Sequence, residues 1–380
     1  MADDESSSER DDAAAEQPGR PLYVGVVSDD GFAKTIATAI IEALPEYVMM
    51  DGRKVGLDVA RAAVSLPPTA AGSAPLGKWL DSVQETNTYD VVLCVSEVPR
   101  RLRSRPVVAE LRAGLTGALY IPSFGTVAVK RRAVASALAI IHDLLGTDTD
   151  SRPSSHQVDS RWAPGPRQVE DENEHDDDGG DRVQLLSGAF GRMRLVSGMI
   201  RCNRPWRLVP TLSGALAAAS AASAFGVFYA SIWQMAASMS VARLTVIGVL
   251  AMAAMAIWLI FGHGLWEHRN FRASMTDRWM YNAATVGTVA TGVLCMYVVL
   301  FAVVLGSSAI VISSDFLSEQ IGRSSEFRDY LSLSWLAASL GIVAGAVGSS
   351  VSDRDEILGA TYGHREMLRR QAAESSERES

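Results

Sequence analysis

Residues 208–242 read LVPTLSGALAAASAASAFGVFYASIWQMAASMSVA, 35 positions without an Asp, Glu, Lys, Arg or His. A helix at the surface of a water-soluble protein needs a polar face, and this stretch has none. About 20 apolar residues suffice to cross a hydrocarbon core of roughly 30 Å. One such run would suit the buried helix of a large soluble core. Three more follow, at 244–261, 283–312 and 331–351. The expectation is therefore an α-helical membrane bundle of four transmembrane helices across 208–352, the first at 211–233. The third run, at 30 residues, would measure about 45 Å as a straight helix. That exceeds the core and predicts tilt, protrusion, or a break near Gly306, Ser307 and Ser308. Trp233, Trp258, Trp266, Trp279, Tyr281, Tyr330 and Trp335 fall near span ends, as aromatic belts do.

The rest of the 380-residue chain has a different character, which is why the mean hydropathy is only +0.11. Residues 1–20 are Ser-, Asp- and Glu-rich and lack the apolar core of a secretory signal. They read as a disordered acidic leader, and membrane insertion is expected to be directed by the later runs. The net charge of −8 lies largely in acidic segments outside the folded parts. Three scattered cysteines, Cys94, Cys202 and Cys295, give neither a disulfide framework nor metal-ligand spacing.

Residues 21–146 read as a small soluble α/β domain. Residues 22–28 form an apolar strand, a turn follows at Asp29, Asp30 and Gly31, and a helix over 32–44 carries Ile36, Ile40 and Leu44 on one face. Further strands are expected around 56–60, 90–96 and 118–121, with helices over 76–85 and 127–145. In the last helix Val134, Leu138, Ile141 and Leu145 mark the apolar stripe. The alternation implies a Rossmann-like or flavodoxin-like parallel sheet. Residues 147–181 hold Pro153, Pro164 and Pro166 and an acidic block, and read as a flexible linker.

Residues 182–207 are expected to form a basic amphipathic helix and an elbow. Leu186, Phe190, Met193, Val196 and Ile200 recur at helical spacing beside Arg182, Arg192, Arg194, Arg201, Arg204 and Arg207. Such a helix next to a span commonly lies in the bilayer interface, with arginines on anionic headgroups and a residue like Trp206 at headgroup depth. Near the spans, fourteen arginines fall on the side of the amphipathic helix, the second connection and the 353–380 tail. Only Arg243, Arg323 and Arg328 fall on the other. The positive-inside bias then places both termini in the cytoplasm of a cell whose plasma membrane the chain crosses.

Small residues four apart let membrane helices approach closely. Gly341, Gly345 and Ser349 do this in the fourth span, Gly214, Ala218, Ala222 and Gly226 in the first, and Ala284, Thr288 and Gly292 in the third. The expected use is packing within the bundle, and a homo-oligomer or a membrane partner would use the same faces. No span interior carries an ionisable residue, which disfavours an ion-coupled pathway. His263 and His268 lack a third ligand beside them. The turn Asp29-Asp30-Gly31 lacks the glycines of a dinucleotide fingerprint, so no cofactor is expected. The loop 97–106 places Arg100, Arg101, Arg103 and Arg105 beyond the carboxyl end of the strongest strand, where α/β ligands bind. It reads either as an anion-binding loop or as a solvated basic loop facing the inner leaflet. Aromatics are not interleaved with these charges, so no nucleic-acid role is expected.

The pieces VGVVSDDGFAKTIA, YDVVLCVSEVPRR, RPVVAEL, YIPSFGTVAVKRR, MIRCNRPWRLVP, IWLIFGHGLWEHR, DRWMYNAATVGTV and DYLSLSWLAASLGIVAGAVGS run through 21–370 outside the linker. In layout and short motifs they resemble a family of actinobacterial four-span membrane proteins of unknown function with an N-terminal cytoplasmic α/β domain. The resemblance implies an inner-membrane location and carries over no catalytic residue. The functional expectation is a membrane-tethered binding or regulatory module without enzymatic activity. The alternatives are a transporter component, or a membrane-anchored enzyme holding an anionic substrate at the arginine loop.

Overall fold

The computed structural model describes residues 20–29, 31–50, 53–62, 73–102, 105–112, 115–145, 182–186, 188–266, 275–349 and 357. The leader, the linker and the C-terminal tail beyond Ile357 lie outside these. The chain divides into two compact units. One comprises 1–96, 108–119 and 128–185; the other comprises 97–107, 120–127 and 186–380.

The first unit starts with β1 (Leu22–Ser28), α1 (Phe32–Ala43), β2 (Tyr47–Met50), β3 (Arg53–Arg61), α2 (Ser73–Asn87) and β4 (Val91–Ser96). The chain continues through β5 (Arg101–Leu102), β6 (Arg105–Arg112), β7 (Thr116–Tyr120), a 3-10 turn at Ile121–Phe124, α3 (Val129–Leu145) and β8 (Arg182–Leu185). β1 lies between β3 and β4 and is parallel to both, with Val24 opposite Val59 on one side and Val91 on the other. Every residue of β4 is buried. A strand so enclosed must be apolar on both faces, and the VVLCVS run supplies that. Gly25 admits the ring of Tyr89, whose Cδ2 would sit 2.7 Å from a Cβ there.

The sheet is mixed rather than parallel. β2 pairs antiparallel with β3, Tyr47 opposite Gly56, and β6 pairs antiparallel with β7, Ala109 opposite Leu119. The strand order β2-β3-β1-β4-β7-β6 thus has a parallel centre and antiparallel flanks, and β8 pairs with β6. The cause is link length. Only two residues separate Met50 from Arg53, and three separate Arg112 from Thr116, whereas a parallel connection needs a dozen or more. α3 also turns a different face inward than its large residues suggest. Val129, Ala133, Ala137, Ile140, Ile141 and Leu145 are buried, while Val134 and Leu138 are half-exposed. The alanines allow close approach, and Gly117 accepts the Ile140 side chain, 2.9 Å from where a Cβ would stand.

The second unit holds α4 (Gly188–Cys202), a 3-10 turn at Pro205–Arg207, α5 (Leu208–Thr211), α6 (Ser213–Phe228), α7 (Ala230–Ser238), α8 (Val241–Gly262), α9 (Met275–Val311), α10 (Ser314–Ile321) and α11 (Phe327–Gly348). Three helices among the described residues are long and apolar enough to cross a membrane: Val241–Gly262, Trp279–Val311 and Phe327–Gly348. α9 runs unbroken for 37 residues, through Gly306. The 208–242 run, by contrast, is not one helix. Leu212 leaves the helical region, Tyr229 is extended, and α6 has 16 residues, about 24 Å of helix. The segment 188–211 and α6 meet the spanning criterion only as a pair bent by 57°. The 182–207 stretch also differs from a single helix, because its first residues form β8 and Leu186 follows before α4 begins at Gly188.

α6 packs face to face against α11. A Cβ on Gly341 would strike Ser223 Oγ and lie 2.6 Å from the Ala219 carbonyl oxygen. One on Gly345 would lie 2.9 Å from the Ala215 carbonyl, and one on Gly226 would strike Ala337. The stripe that α6 buries is Ala215, Ala219, Ser223 and Gly226. It is rotated by one residue from the Gly214, Ala218, Ala222, Gly226 series, and Gly214 itself is exposed. Gly214 still participates through its carbonyl oxygen, 3.3 Å from a Cβ on Gly348. Gly292 of α9 accepts Leu208, 2.5 Å from a Cβ, beneath the Pro205 carbonyl. Ser223 Oγ donates to the Ala337 carbonyl at 3.1 Å. Trp233 is not a belt residue: it is buried, and its Nε1 donates to the Gly226 carbonyl at 3.0 Å. That bond braces α7 against the end of α6.

This packing yields a paired expectation. Gly341→Val costs on the order of 3 kcal/mol or more, since the added carbons meet the Ala219 carbonyl as well as the Ser223 hydroxyl. Gly306→Val, where nothing lies within 4 Å of a Cβ, leaves stability nearly unchanged. Melting temperatures of the two purified variants in one detergent check this; equal losses would contradict the packing.

Candidate anion-binding site

The arginine loop folds into a tight hairpin. Arg101 pairs with Pro106 and Leu102 with Arg105, and the Val107 amide donates to the Arg100 carbonyl at 2.9 Å. Arg100 Nη1 donates to the Tyr120 hydroxyl at 3.0 Å and lies 5.7 Å from the ring centroid, so it is committed to holding the next strand's end. Arg105 is exposed, and Arg103 lies outside the described residues.

The hairpin belongs to the second unit, as does the turn at Ile121–Phe124. That turn is wholly buried. Ser123 Oγ donates to the Val107 carbonyl at 2.5 Å. Gly125, at φ 76°, supplies the left-handed exit that other residues resist. α4 then docks on this frame. Gly198 sits directly over the Pro122 carbonyl, with no space for a Cβ, and a Cβ on Gly125 would lie 2.9 Å from Cγ of the Arg194 stem. Arg201 Nη1 donates to the Thr126 carbonyl at 2.9 Å. The Leu186 amide donates to the Pro106 carbonyl at 2.9 Å, which ties the hairpin to the approach of α4.

On its other side α4 meets the start of α9. Leu195 and Met199 form a cluster with Met280 and Ala284, with Tyr281 packed against it. The elbow that follows is sharply shaped. Arg204 adopts a left-handed conformation, φ 54° and ψ 63°, and Pro205 is buried at the head of the 3-10 turn. Asn203 Nδ2 donates to Thr288 Oγ1 at 3.1 Å, and Arg204 Nη2 lies 3.8 Å from Glu97 Oε1.

Two arginine sets that are remote in sequence thus meet in one assembly, and their members divide by role. Arg194, Arg201 and Arg204 are half-buried, and Arg201 and Arg204 have internal partners in Thr126 and Glu97. Arg192, Arg207 and Trp206 are exposed. Arg101 is half-buried, and its guanidinium pKa is lowered, first by burial and further by Arg192, with Tyr281 opposing. Arginine stays charged through such shifts, so they register a crowded cationic corner. The apolar face of α4 also divides. Gly191, Leu195, Gly198, Met199 and Cys202 are buried. Phe190 and Met193 from the expected apolar stripe stand out at 86% and 68% exposure.

The other sequence candidates resolve differently. At the carboxyl ends of β1 and β4, Asp29 is buried and its Oδ2 accepts from Ser96 Oγ at 3.1 Å. Arg61 Nη2 donates to Ser28 Oγ at 2.8 Å. An acidic, hydrogen-bonded floor there is unsuited to phosphate. His263 is buried with its ring nitrogens 3.3 Å from the Leu259 and Ser349 carbonyls; His268 lies outside the described residues. Among the described residues no three His, Cys, Asp or Glu cluster as metal ligands would. The convergence of Arg101 with α4 had no sequence signal, because it depends on the unforeseen hairpin and on Gly198. Comparison with protein-family models, curated proteins and solved structures returned no match.

Gly198→Ala tests the docking of α4. The methyl would meet the Pro122 carbonyl, so the variant loses roughly 2–3 kcal/mol. Amide hydrogen exchange over 120–127 then speeds up. Unchanged exchange there would refute this contact.

Proposed function

We propose that the chain is a four-span integral membrane protein of the plasma membrane. Both termini are cytoplasmic, and the sheet-containing half serves as a membrane-tethered binding or regulatory module. The observation that carries the reading is the α6–α11 contact. α11 is one of the three helices long and apolar enough to span, and α6 meets it at backbone distance along Gly341, Gly345 and Gly348. A helix clamped so closely to a spanning helix shares its apolar surroundings, and α6 carries no charged residue. Its exposed Phe225 and Phe228 suit lipid better than water. The arginine asymmetry supports a cytoplasmic location for the termini, and the exposed Arg192 and Arg207 would face an anionic leaflet. The layout is that of the actinobacterial four-span family the sequence resembles.

A transporter would need a polar route between spans. The hydroxyls of Tyr297 and Ser339 lie 2.9 Å apart, and that of Tyr297 also reaches the Trp335 carbonyl at 3.2 Å. Ser308 and Ser334 approach to 3.4 Å. These groups bond to one another and to helix carbonyls, which is how polar side chains hold membrane helices together. Packing explains them without a transport path.

Reporter fusions that are active only outside the membrane test the topology. A reporter inserted after Gly322, the exposed end of α10, should be active. One at Ser380 and one at the N-terminus should both be silent. Activity at Ser380 with silence at the N-terminus would mean three spans and would remove α6 from the set.

A further inference from the structure

α9 continues past the level at which the other long helices stop. Ser308 Oγ of α9 lies 3.4 Å from Ser334 Oγ of α11, and Leu300 Cδ2 lies 3.2 Å from where a Cβ on Gly341 would stand. Eight residues along α9 thus match seven along α11 in the opposite direction. In that register Gly348, where α11 ends, is level with about Val293 of α9. The neighbouring helices end there too. A Cβ on Gly348 would lie 3.3 Å from the Gly214 carbonyl, in the first turn of α6. The His263 ring, just past α8, lies 3.3 Å from the Ser349 carbonyl.

The Trp279–Gly292 part of α9 therefore adds about 20 Å of helix beyond the bundle. α4 and the elbow flank it. Ile200 fills the space over Gly287, and Leu208 and the Pro205 carbonyl cover Gly292. Asn203 Nδ2 donates to Thr288 Oγ1 at 3.1 Å, and Leu195 and Met199 meet Met280 and Ala284. The two segments run side by side in the same direction. Composition changes at the same place. Residues 281–291 hold Tyr281, Asn282, Thr285, Thr288 and Thr291, whereas 293–311 is apolar but for Tyr297, Ser307 and Ser308. The latter stretch measures about 28 Å, close to a hydrocarbon core of roughly 30 Å.

We propose that α9 links the membrane to the sheet-bearing sequence: 293–311 crosses the bilayer, Trp279–Gly292 stands in water on its cytoplasmic side, and α4 straps this extension to the buried turn at Ile121–Phe124. The proposal rests on the membrane reading given above and adds how the tethered module is held. Of tilt, protrusion and break, the register with α11 selects protrusion. A helix end of this length has little stability of its own in water, so its packing on α4 keeps it formed. α4 is fixed on its other side by Gly198 over the Pro122 carbonyl and by Arg201, which donates to the Thr126 carbonyl. β7 runs straight into that turn, since Tyr120 precedes Ile121. A displacement at the end of β7 is thereby delivered through the turn and α4 to a helix that crosses the membrane. This is a route by which the module regulates the bundle.

The test uses the full chain in phosphatidylcholine nanodiscs, with Cys295 replaced by Ala and one cysteine added at a time. Val286 and Val298 are 41% and 56% exposed in the chain itself, so lipid cover alone distinguishes them. A charged, membrane-impermeant maleimide should label Val286→Cys about tenfold faster than Val298→Cys or more, because a thiol within hydrocarbon neither ionises nor meets the reagent. Equally slow labelling would place Trp279–Gly292 in the hydrocarbon and overturn the extension. Equally fast labelling would defeat the membrane reading itself. Ala290→Cys, exposed one turn further on, is the reporter should Val286→Cys fail to fold. Hydrogen exchange in the same discs tests the strap. Gly198→Ala should speed exchange over 279–291 as well as over 120–127, while 293–311 keeps its rate. Acceleration confined to 120–127 would overturn the strap. Asn203→Ala, which cuts the bond to Thr288, should also speed exchange over 279–291, and unchanged exchange there would count equally against it.

Discussion

The contact between α6 and α11 is made at the level of the backbone, and much of the helical unit is arranged around it. Gly341 and Gly345 leave the Ala219 and Ala215 carbonyls within reach of α11. At such separation dispersion acts along a whole helix face, and a hydroxyl such as that of Ser223 can reach a carbonyl of the neighbouring helix. In a membrane the transfer of apolar surface from water offers no preference between helix partners, so fit of this kind must supply the preference. α7 inherits its position from α6 through Trp233 and the Gly226 carbonyl. At the other end of α11, the buried Asp329 accepts from the Glu326 amide and takes both guanidinium nitrogens of Arg323. A helix pair that close tolerates no added carbon at the contact.

A second close approach organises the corner beside the helices. Gly198 admits the Pro122 carbonyl to the surface of α4. That single missing side chain lets a buried turn from the sheet-bearing half of the sequence join the helical unit. Once it has joined, Arg201 and Arg204 find internal partners, and Arg192 is left at the rim with Phe190 and Met193.

Several elements were readable from residue pattern because the physical signal was local. β1, α1 and β4 were legible as a short apolar run, a helical repeat and a continuous VVLCVS strand. α8 and α11 announced themselves by hydropathy. β2, β5 and β6 were hidden. β2 is only four residues long, and the hairpin strands carry arginines that read as loop. The faces of α3 and α6 were misjudged by about one residue for a common reason. Periodicity weights large side chains or glycines, whereas close packing was achieved with alanine. In the candidate site, the arginines were visible in sequence, but which of them would be used internally was not.

Composition and order alone determined that the chain has an apolar helical half, an α/β half and acidic segments between and around them. Hydrophobicity and charge act locally and survive without knowledge of neighbours. Only the tertiary structure decided that the sheet is mixed, that the 208–242 run is cut at Leu212 and Tyr229, and that the Pro122 carbonyl lies over Gly198. Each of these turns on contacts between residues distant in sequence, where connection length, the absence of a Cβ or one backbone carbonyl selects among arrangements of equal hydrophobicity.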